Sequence, residues 1–452
     1  MTRLRPWERA VLVLTALALI GFGVLTEIRS CYLGSRRTDA DTLFRAAYAV
    51  RTGGDIYQAT DDNGLRYIYP PALAVALVPL ADAPSGQPRD GLLPFPVSVA
   101  IWTILNLLLM ARIVHVLASL AVPDAEKGGR LWWSLRMVPF YTAAAGLLYT
   151  VSFGQVNMIV IAMLVEMLRA RFSGRDLEGG LWLAGAIVVK IMPAYLLLYP
   201  FTLRSTRMFA GVAAGLLVGL VLIPLVGLGP AGTLHAYQSL IGPVLVRGVV
   251  GTDAKEVLAV YEIFTPNDSQ SFLALIHNNL HFVSDWRAVS TSAAERLSAY
   301  GLSAVLTLIT LMVAWRRGLA SRIDNIIFVG ALMLLMSHIT PISHMHYYAF
   351  GVVLVAGLWF KSLAGAGGDW PGWRSVWPLT LWSVGVAITM LPGPFFQALR
   401  DHCLGTVCSL VLWLVALMRL GAPEAARIDY GGATGGASVE GFEPVIRSDS
   451  IS

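Results

Sequence analysis

The chain has 452 residues, of which 56% are hydrophobic and 13% charged, with a formal net charge of +5. Soluble domains carry about 25% charged residues, so this composition excludes an ordinary soluble enzyme. The small, dispersed charge excess implies no nucleic-acid partner. Apolar stretches recur along the sequence, each approaching the ~20 residues that cross a hydrocarbon core of roughly 30 Å. In lipid such stretches must satisfy their own backbone hydrogen bonds, which makes them helices. The fold class is all-α, a polytopic transmembrane helical bundle.

Residues 1–28 combine a basic start (Arg3, Arg5, Arg9) with an apolar run and lack a small-x-small cleavage pattern. This predicts an uncleaved first span with its N-terminus inside. About twelve spans follow the apolar pattern: 10–28, 68–82, 96–119, 136–151, 155–170, 181–200, 208–228, 298–315, 325–340, 345–361, 376–391 and 403–420. Residues 1–420 form the transmembrane domain, and the Gly-, Ser- and acid-rich stretch 421–452 reads as a disordered cytoplasmic tail. Alternation places the loops 29–67, 229–297 and 338–346 on the outer face. It also places Lys127, Arg130 and Arg136, and Arg169, Arg171 and Arg175, outside, against the positive-inside rule. Either the rule is violated there or one span between 68 and 200 is re-entrant.

In the first outer loop Leu43, Ala46, Ala47 and Val50 recur at helical spacing and Gly53-Gly54 supplies a C-terminal stop. A short amphipathic helix along the membrane surface is expected. Asp39 and Asp41 lie at its start, where the helix dipole favours carboxylates. On residue type alone, capping and catalysis explain them equally well. Arg45, near them, suits either an oxyanion contact or snorkelling to lipid headgroups. Lys190 interrupts an apolar run, where a lysine at a span centre costs about 2.5–3.5 kcal/mol. It should face a cavity or a partner, the alternatives being a lipid phosphate and a structural pair with Glu166 or a backbone carbonyl. Gln155 and Asn157 flank a turn after Gly154 and suit bonds between helices or to a ligand. His338, His344 and His346 cluster around Pro341, with no further ligand motif for a metal. Cys31, Cys403 and Cys408 have no metal-ligand or framework spacing. Most tryptophans read as an interfacial belt.

Five segments occur in order: DADTLFRAAYAVRTGGDIY from Asp39, YPPALAVALVPL from Tyr69, SFGQVNMIVIAML from Ser152, VVKIMPAYLLLYPF from Val188, and SHITPISHMHYYAF from Ser337. Together they resemble glycosyltransferase family 87, membrane enzymes of GT-C type that include mycobacterial mannosyltransferases acting on phosphatidylinositol mannosides. The resemblance spans roughly residues 36–350. It implies an inverting transfer of mannose or another hexose or pentose from a polyprenyl-phosphate donor. The acceptor would be a lipid or glycan hydroxyl on the outer face of the plasma membrane, and no cofactor is implied.

In that family an aspartate of the first outer loop acts as general base. Ungapped placement makes it Asp39, and Asp41 remains an alternative because Ala40 replaces the family's larger apolar residue. The family's histidine pair falls on His346, a third catalytic candidate beside the two aspartates, and on Tyr347, with His344 two residues earlier. Arg45, Lys190 and His344 are the candidates for donor phosphate, and Tyr69, Gln155 and Asn157 for substrate contact. A secondary transporter or lipid flippase is the competing class. Such proteins show paired halves with matching interrupted helices, and the first outer loop has no counterpart in the second half.

Overall fold

The computed structural model describes residues 4–33, 36, 38–62, 64–242, 269–281, 291–366 and 370–422. The tail expected beyond Gly421 falls, from residue 423, outside them, as does most of the loop expected at 229–297. Apart from one bridge between Thr60 and Arg66, the regular structure among the described residues is helical.

The long helices are α1 (Pro6–Cys31), α4 (Phe95–Ala121), α5 (Arg130–Ser152), α6 (Asn157–Phe172), α7 (Asp176–Val189), α8 (Met192–Leu203) and α9 (Thr206–Gly242). After the short α10 (Phe272–Leu280) come α11 (Ala293–Arg317), α12 (Arg322–Ile339), α13 (Met345–Gly365), α14 (Trp373–Thr389) and α16 (Leu404–Arg419). Between α14 and α16 lies α15 (Pro394–Asp401), bent 119° from α14. Among the described residues α1, α4, α9, α11, α12 and α13 are each long and apolar enough to cross a membrane alone. Helices α12 and α13 are central, 89% of their apolar windows being buried, whereas α1 is peripheral at 6%. Its Val13, Leu14, Leu17 and Ile20 are exposed, as lipid-facing residues are.

Two expected features change. The stretch 68–82 does not span: it forms a six-residue helix, α3 (Pro71–Ala76), and a 3-10 turn at Val78–Leu80. Six residues rise about 9 Å, far short of the hydrocarbon thickness. The stretch 181–200 is not one span either. Helix α7 ends at Lys190, whose backbone is extended (φ −152°, ψ 126°) ahead of Pro193, and α8 turns back. Ser205 donates to Asp176 at the start of α7 (2.7 Å), so α7 and α8 form a hairpin.

With both changes the chain alternates between two ends of the bundle. One end holds Arg130 paired to Glu8 (2.8 Å), Arg171 paired to Asp176 (2.9 Å) and Lys361 paired to Asp324 (3.0 Å). There Arg317 also donates to the carbonyls of Leu417 and Leu420. The groups that broke the positive-inside rule therefore share one basic end with Arg317 and Arg322.

Close helix contact in α7 and α9 depends on Gly180 and Gly211. A Cβ on Gly180 would strike the Met208 carbonyl, and one on Gly211 the Leu177 carbonyl, the small-residue packing that membrane helices use.

The opposite end carries a second, smaller core. The expected amphipathic helix forms as α2 (Ala40–Thr52), ended by Gly53 at φ 74°. It buries Leu43, Phe44, Ala46 and Ala47 against Tyr57, Tyr67, Leu73, Phe95 and Trp102.

Candidate functional site

The α5–α6 turn sets the position of the segment that follows α1. Gly154 adopts φ +65°, and a Cβ there would lie 2.5 Å from Thr38 Oγ1 and 3.0 Å from Ala40 Cβ. Glycine alone tolerates both the conformation and the approach. The Asp39 amide donates to the Phe153 carbonyl (2.9 Å), and Trp102 Nε1 donates to the Gly154 carbonyl (2.7 Å). These contacts fix the start of α2 against the start of α6.

Asp39 occupies the N-cap position of α2, yet its side chain makes no capping bond. The nearby Thr38 Oγ1 accepts from the Ala40 amide instead (3.3 Å). The half-buried Asp39 carboxylate accepts a hydrogen bond from Gln155 Nε2. Gln155 Oε1 in turn accepts from the Tyr69 hydroxyl (3.1 Å).

Lys190, at the α7–α8 break, interacts electrostatically with Asp39. Its Nζ donates to Asn157 Oδ1 (3.0 Å) and lies 4.3 Å from the centre of the Tyr347 ring and 5.7 Å from that of Tyr69. Asn157 Nδ2 and Thr150 Oγ1 both donate to the His346 carbonyl (3.3 and 2.6 Å). The His344 and His346 rings are 5.4 Å apart. Asp39, Tyr69, Gln155, Asn157, Lys190, His344 and His346 thus form one connected group. The pair considered for Lys190 with Glu166 is absent: Glu166 bonds Arg112 and Arg169.

Helix direction adds to this chemistry. Helices α2, α6 and α13 begin at Ala40, Asn157 and Met345, so three N-termini converge on the group. A helix N-terminus carries N–H groups without intrahelical partners and about half a positive charge, although at α2 the Ala40 and Asp41 amides are already taken by Thr38. The Lys190 side chain lies among these N-termini, and the C-termini of α5 and α7, at Ser152 and Val189, reach the same group.

Asp41 and Arg45 belong elsewhere. Asp41, 1% exposed, pairs with Arg36 (2.7 Å) and Arg45 (3.1 Å). Arg45 also pairs with Asp62 and donates to the Thr60 carbonyl (3.3 Å), committing its guanidinium within this cluster. Arg36 continues to the fully buried Asp82 (2.6 Å), which Arg89 also bonds, and stacks 3.7 Å over the Phe95 ring. Burial pushes the Asp41 carboxyl above its usual range, against the pull of Arg36 and Arg45. Three arginines and three aspartates neutralise one another and clasp the loop to the segment before α4.

Two contributors were not singled out in the sequence. Tyr347 stood out only as a replacement for the family's second histidine, although its ring faces Lys190. Asp82 was legible as a lone acid in an apolar stretch, VPLADAP.

The family model for glycosyltransferase family 87 matches residues 67–341. That range includes Tyr69, Gln155, Asn157 and Lys190 and leaves Asp39, Asp41, Arg45, His344 and His346 outside it. No curated protein matches the chain. A solved structure similar to it is ArnT from Cupriavidus metallidurans bound to undecaprenyl phosphate. The identity is 14% and the TM-score 0.38, over 91% of this chain and 77% of that one.

Proposed function

The chain belongs to glycosyltransferase family 87, and from that premise we propose that it moves a sugar from a polyprenyl-phosphate donor to a hydroxyl of a lipid or glycan acceptor. The observation that carries this reading is the chain of contacts that brings the Asp39 carboxylate, through Gln155 and Tyr69, to the side of Lys190 and Asn157 at the start of α6. Transfer from a glycosyl phosphate needs a base at the acceptor hydroxyl and positive charge at the departing phosphate.

Asp39 removes the acceptor proton as the acceptor oxygen forms its bond to the anomeric carbon. The bond from that carbon to the phosphate oxygen breaks on the opposite face, the electron pair leaves with the phosphate, and the anomeric configuration inverts. Lys190 and the helix N-termini hold the phosphate charge, and His344 and His346 supply hydrogen bonds beside it. Gln155 and Tyr69 orient the base. Asp39 is preferred to Asp41, and Lys190 to Arg45, because Asp41 and Arg45 are occupied in the ion cluster. The sugar is mannose or another hexose or pentose.

Residues 1–420 act as one transmembrane unit of twelve crossings, with the basic end cytoplasmic and the Asp39 end on the outer face of the plasma membrane. This orientation follows the positive-inside rule at Arg130, Arg171, Arg175, Arg317 and Arg322.

The test is reconstitution of the purified chain in liposomes with a radiolabelled polyprenyl-phosphate mannose and a mixed lipid acceptor, then with other polyprenyl-phosphate sugars. The expected result is a labelled product from one donor of this class. Movement of labelled lipid between leaflets with no transfer would replace the transferase reading with the flippase one.

A further inference from the structure

Away from the Asp39 group, α10 and α11 bring together His277, His281 and Glu295. His277 lies on α10 and His281, four residues later, is the residue that caps its C-terminus, with the two rings 4.7 Å apart, the spacing that lets two imidazoles share one ion. Glu295 lies in the first turn of α11. His277 Nδ1 is 3.1 Å and His281 Nε2 2.7 Å from the same Glu295 oxygen, Oε1. One ligand atom from each residue lies within 4.8 Å of the others.

We propose that these three residues form a divalent transition-metal site, with zinc the best-fitting ion. Two imidazoles and one carboxylate are a known ligand set for zinc, which holds them at about 2.0–2.2 Å. Tetrahedral geometry at that radius separates donor atoms by about 3.3 Å, near both histidine–glutamate distances. Magnesium and calcium prefer oxygen ligands and are disfavoured by the imidazoles.

The carboxylate is already oriented. Its other oxygen accepts from the Ser292 amide, and the Glu295 amide donates to Ser292 Oγ (3.2 Å) in a capping box. Such outer contacts hold a ligand for its metal. Among the described residues the salt-bridge partners of Glu295 are the two histidines. His277 is fully buried and His281 half exposed, which leaves a fourth position open to water from the His281 side.

The ion ties α10 to α11 and, through α10, reaches the end of α15. There Asn278 Nδ2 donates to the Asp401 carbonyl (2.9 Å) and Asn279 pairs with His402 (2.9 Å).

The experiment uses the full chain in detergent, stripped with chelator and dialysed against Zn²⁺ or Co²⁺. Metal content and the visible spectrum of the Co²⁺ form are then measured. The expected result is one equivalent of Zn²⁺ per chain and the intense absorption of tetrahedral Co²⁺. His281→Gln, at an exposed ring, and Glu295→Gln, which keeps the capping box, should each weaken Zn²⁺ binding by about 100-fold or more. Less than stoichiometric metal in the wild type, or full metal retention in both variants, would overturn the site. The readout is independent of sugar transfer.

Discussion

The Lys190 ammonium donates to Asn157 Oδ1 at 3.0 Å while the other side of that amide, Nδ2, donates to the His346 carbonyl at 3.3 Å. One carboxamide therefore links the α7–α8 break to the start of α13. Its orientation is set by both bonds, since an amide reversed would present hydrogen to an ammonium. The lysine held in this way faces a carboxylate and an aromatic ring instead of lipid.

Replacement of Lys190 by methionine keeps the length of the side chain and removes the charge. A charge-assisted hydrogen bond contributes about 1.5–3 kcal/mol, so Lys190→Met should raise the donor KM by roughly 10- to 100-fold. Titration with polyprenyl-phosphate sugar measures this, with Arg45→Ala in parallel. Unchanged donor affinity in Lys190→Met and a large loss in Arg45→Ala would reassign the phosphate to the ion cluster.

Gly154 lets the α5–α6 turn touch the residues on either side of Asp39. In Gly154→Ala the φ of +65° and the contact with Thr38 both become unfavourable. The expected cost is about 1–3 kcal/mol, read as a lower thermal midpoint, together with slower transfer because Asp39 shifts from Gln155. Wild-type stability and rate would show that the turn does not position the base.

Asp82 is fully buried between Arg36 and Arg89. Asp82→Ala leaves two guanidinium groups short of a partner, and breaking a buried pair costs roughly 3–5 kcal/mol. Both arginines retain some solvent contact, so the lower end of that range is expected in chemical denaturation. A loss below about 1 kcal/mol would mean that the clasp is not structural.

The topology is testable in a background lacking Cys31, Cys403 and Cys408. Asp90 and Ser173 are exposed and are assigned to opposite ends. In intact cells a membrane-impermeant maleimide should label Asp90→Cys at once and Ser173→Cys only after permeabilisation. The reverse pattern is the one that a crossing at 68–82 or an inverted orientation produces, and labelling of both from outside would mean that one of α4, α5 and α6 does not cross.

Much of this was legible in the sequence, and what was not has physical causes. Apolar length located most of the long helices to within a few residues, because lipid demands them, and ended the stretch 208–228 where Gly229 interrupts the helical geometry of α9. It overcounted at 68–82, where Tyr69-Pro70-Pro71 and Pro79 break an apolar stretch that packs under α2 as part of a protein core. It undercounted at 181–200, where hydropathy alone cannot see a hairpin closing at Lys190. The positive-inside conflict at Arg130 and Arg171 was the trace of both errors. Asp39, Gln155, Asn157 and Lys190 were legible as polar residues in an apolar chain. The separation of Asp39 from Asp41 was not, since two residues on a helix turn decide which carboxylate meets Gln155 and which meets Arg36. The pair His277 and His281 was not read as a ligand motif, because its third partner, Glu295, comes from another helix and carries no signature of its own.

The central claim is that Asp39, and not Asp41, is the proton acceptor, and the most direct measurement is single-turnover sugar transfer by Asp39→Asn and Asp41→Asn. Asparagine keeps the size of the side chain and a hydrogen bond to Gln155 while removing the base. The account predicts that Asp39→Asn lowers the transfer rate by about 10²–10⁴ with donor binding and thermal midpoint close to wild type. It predicts that Asp41→Asn lowers the midpoint and leaves the rate per folded molecule within a few-fold. Near-normal transfer by Asp39→Asn, whether the loss moves to Asp41→Asn or appears in neither, would contradict it.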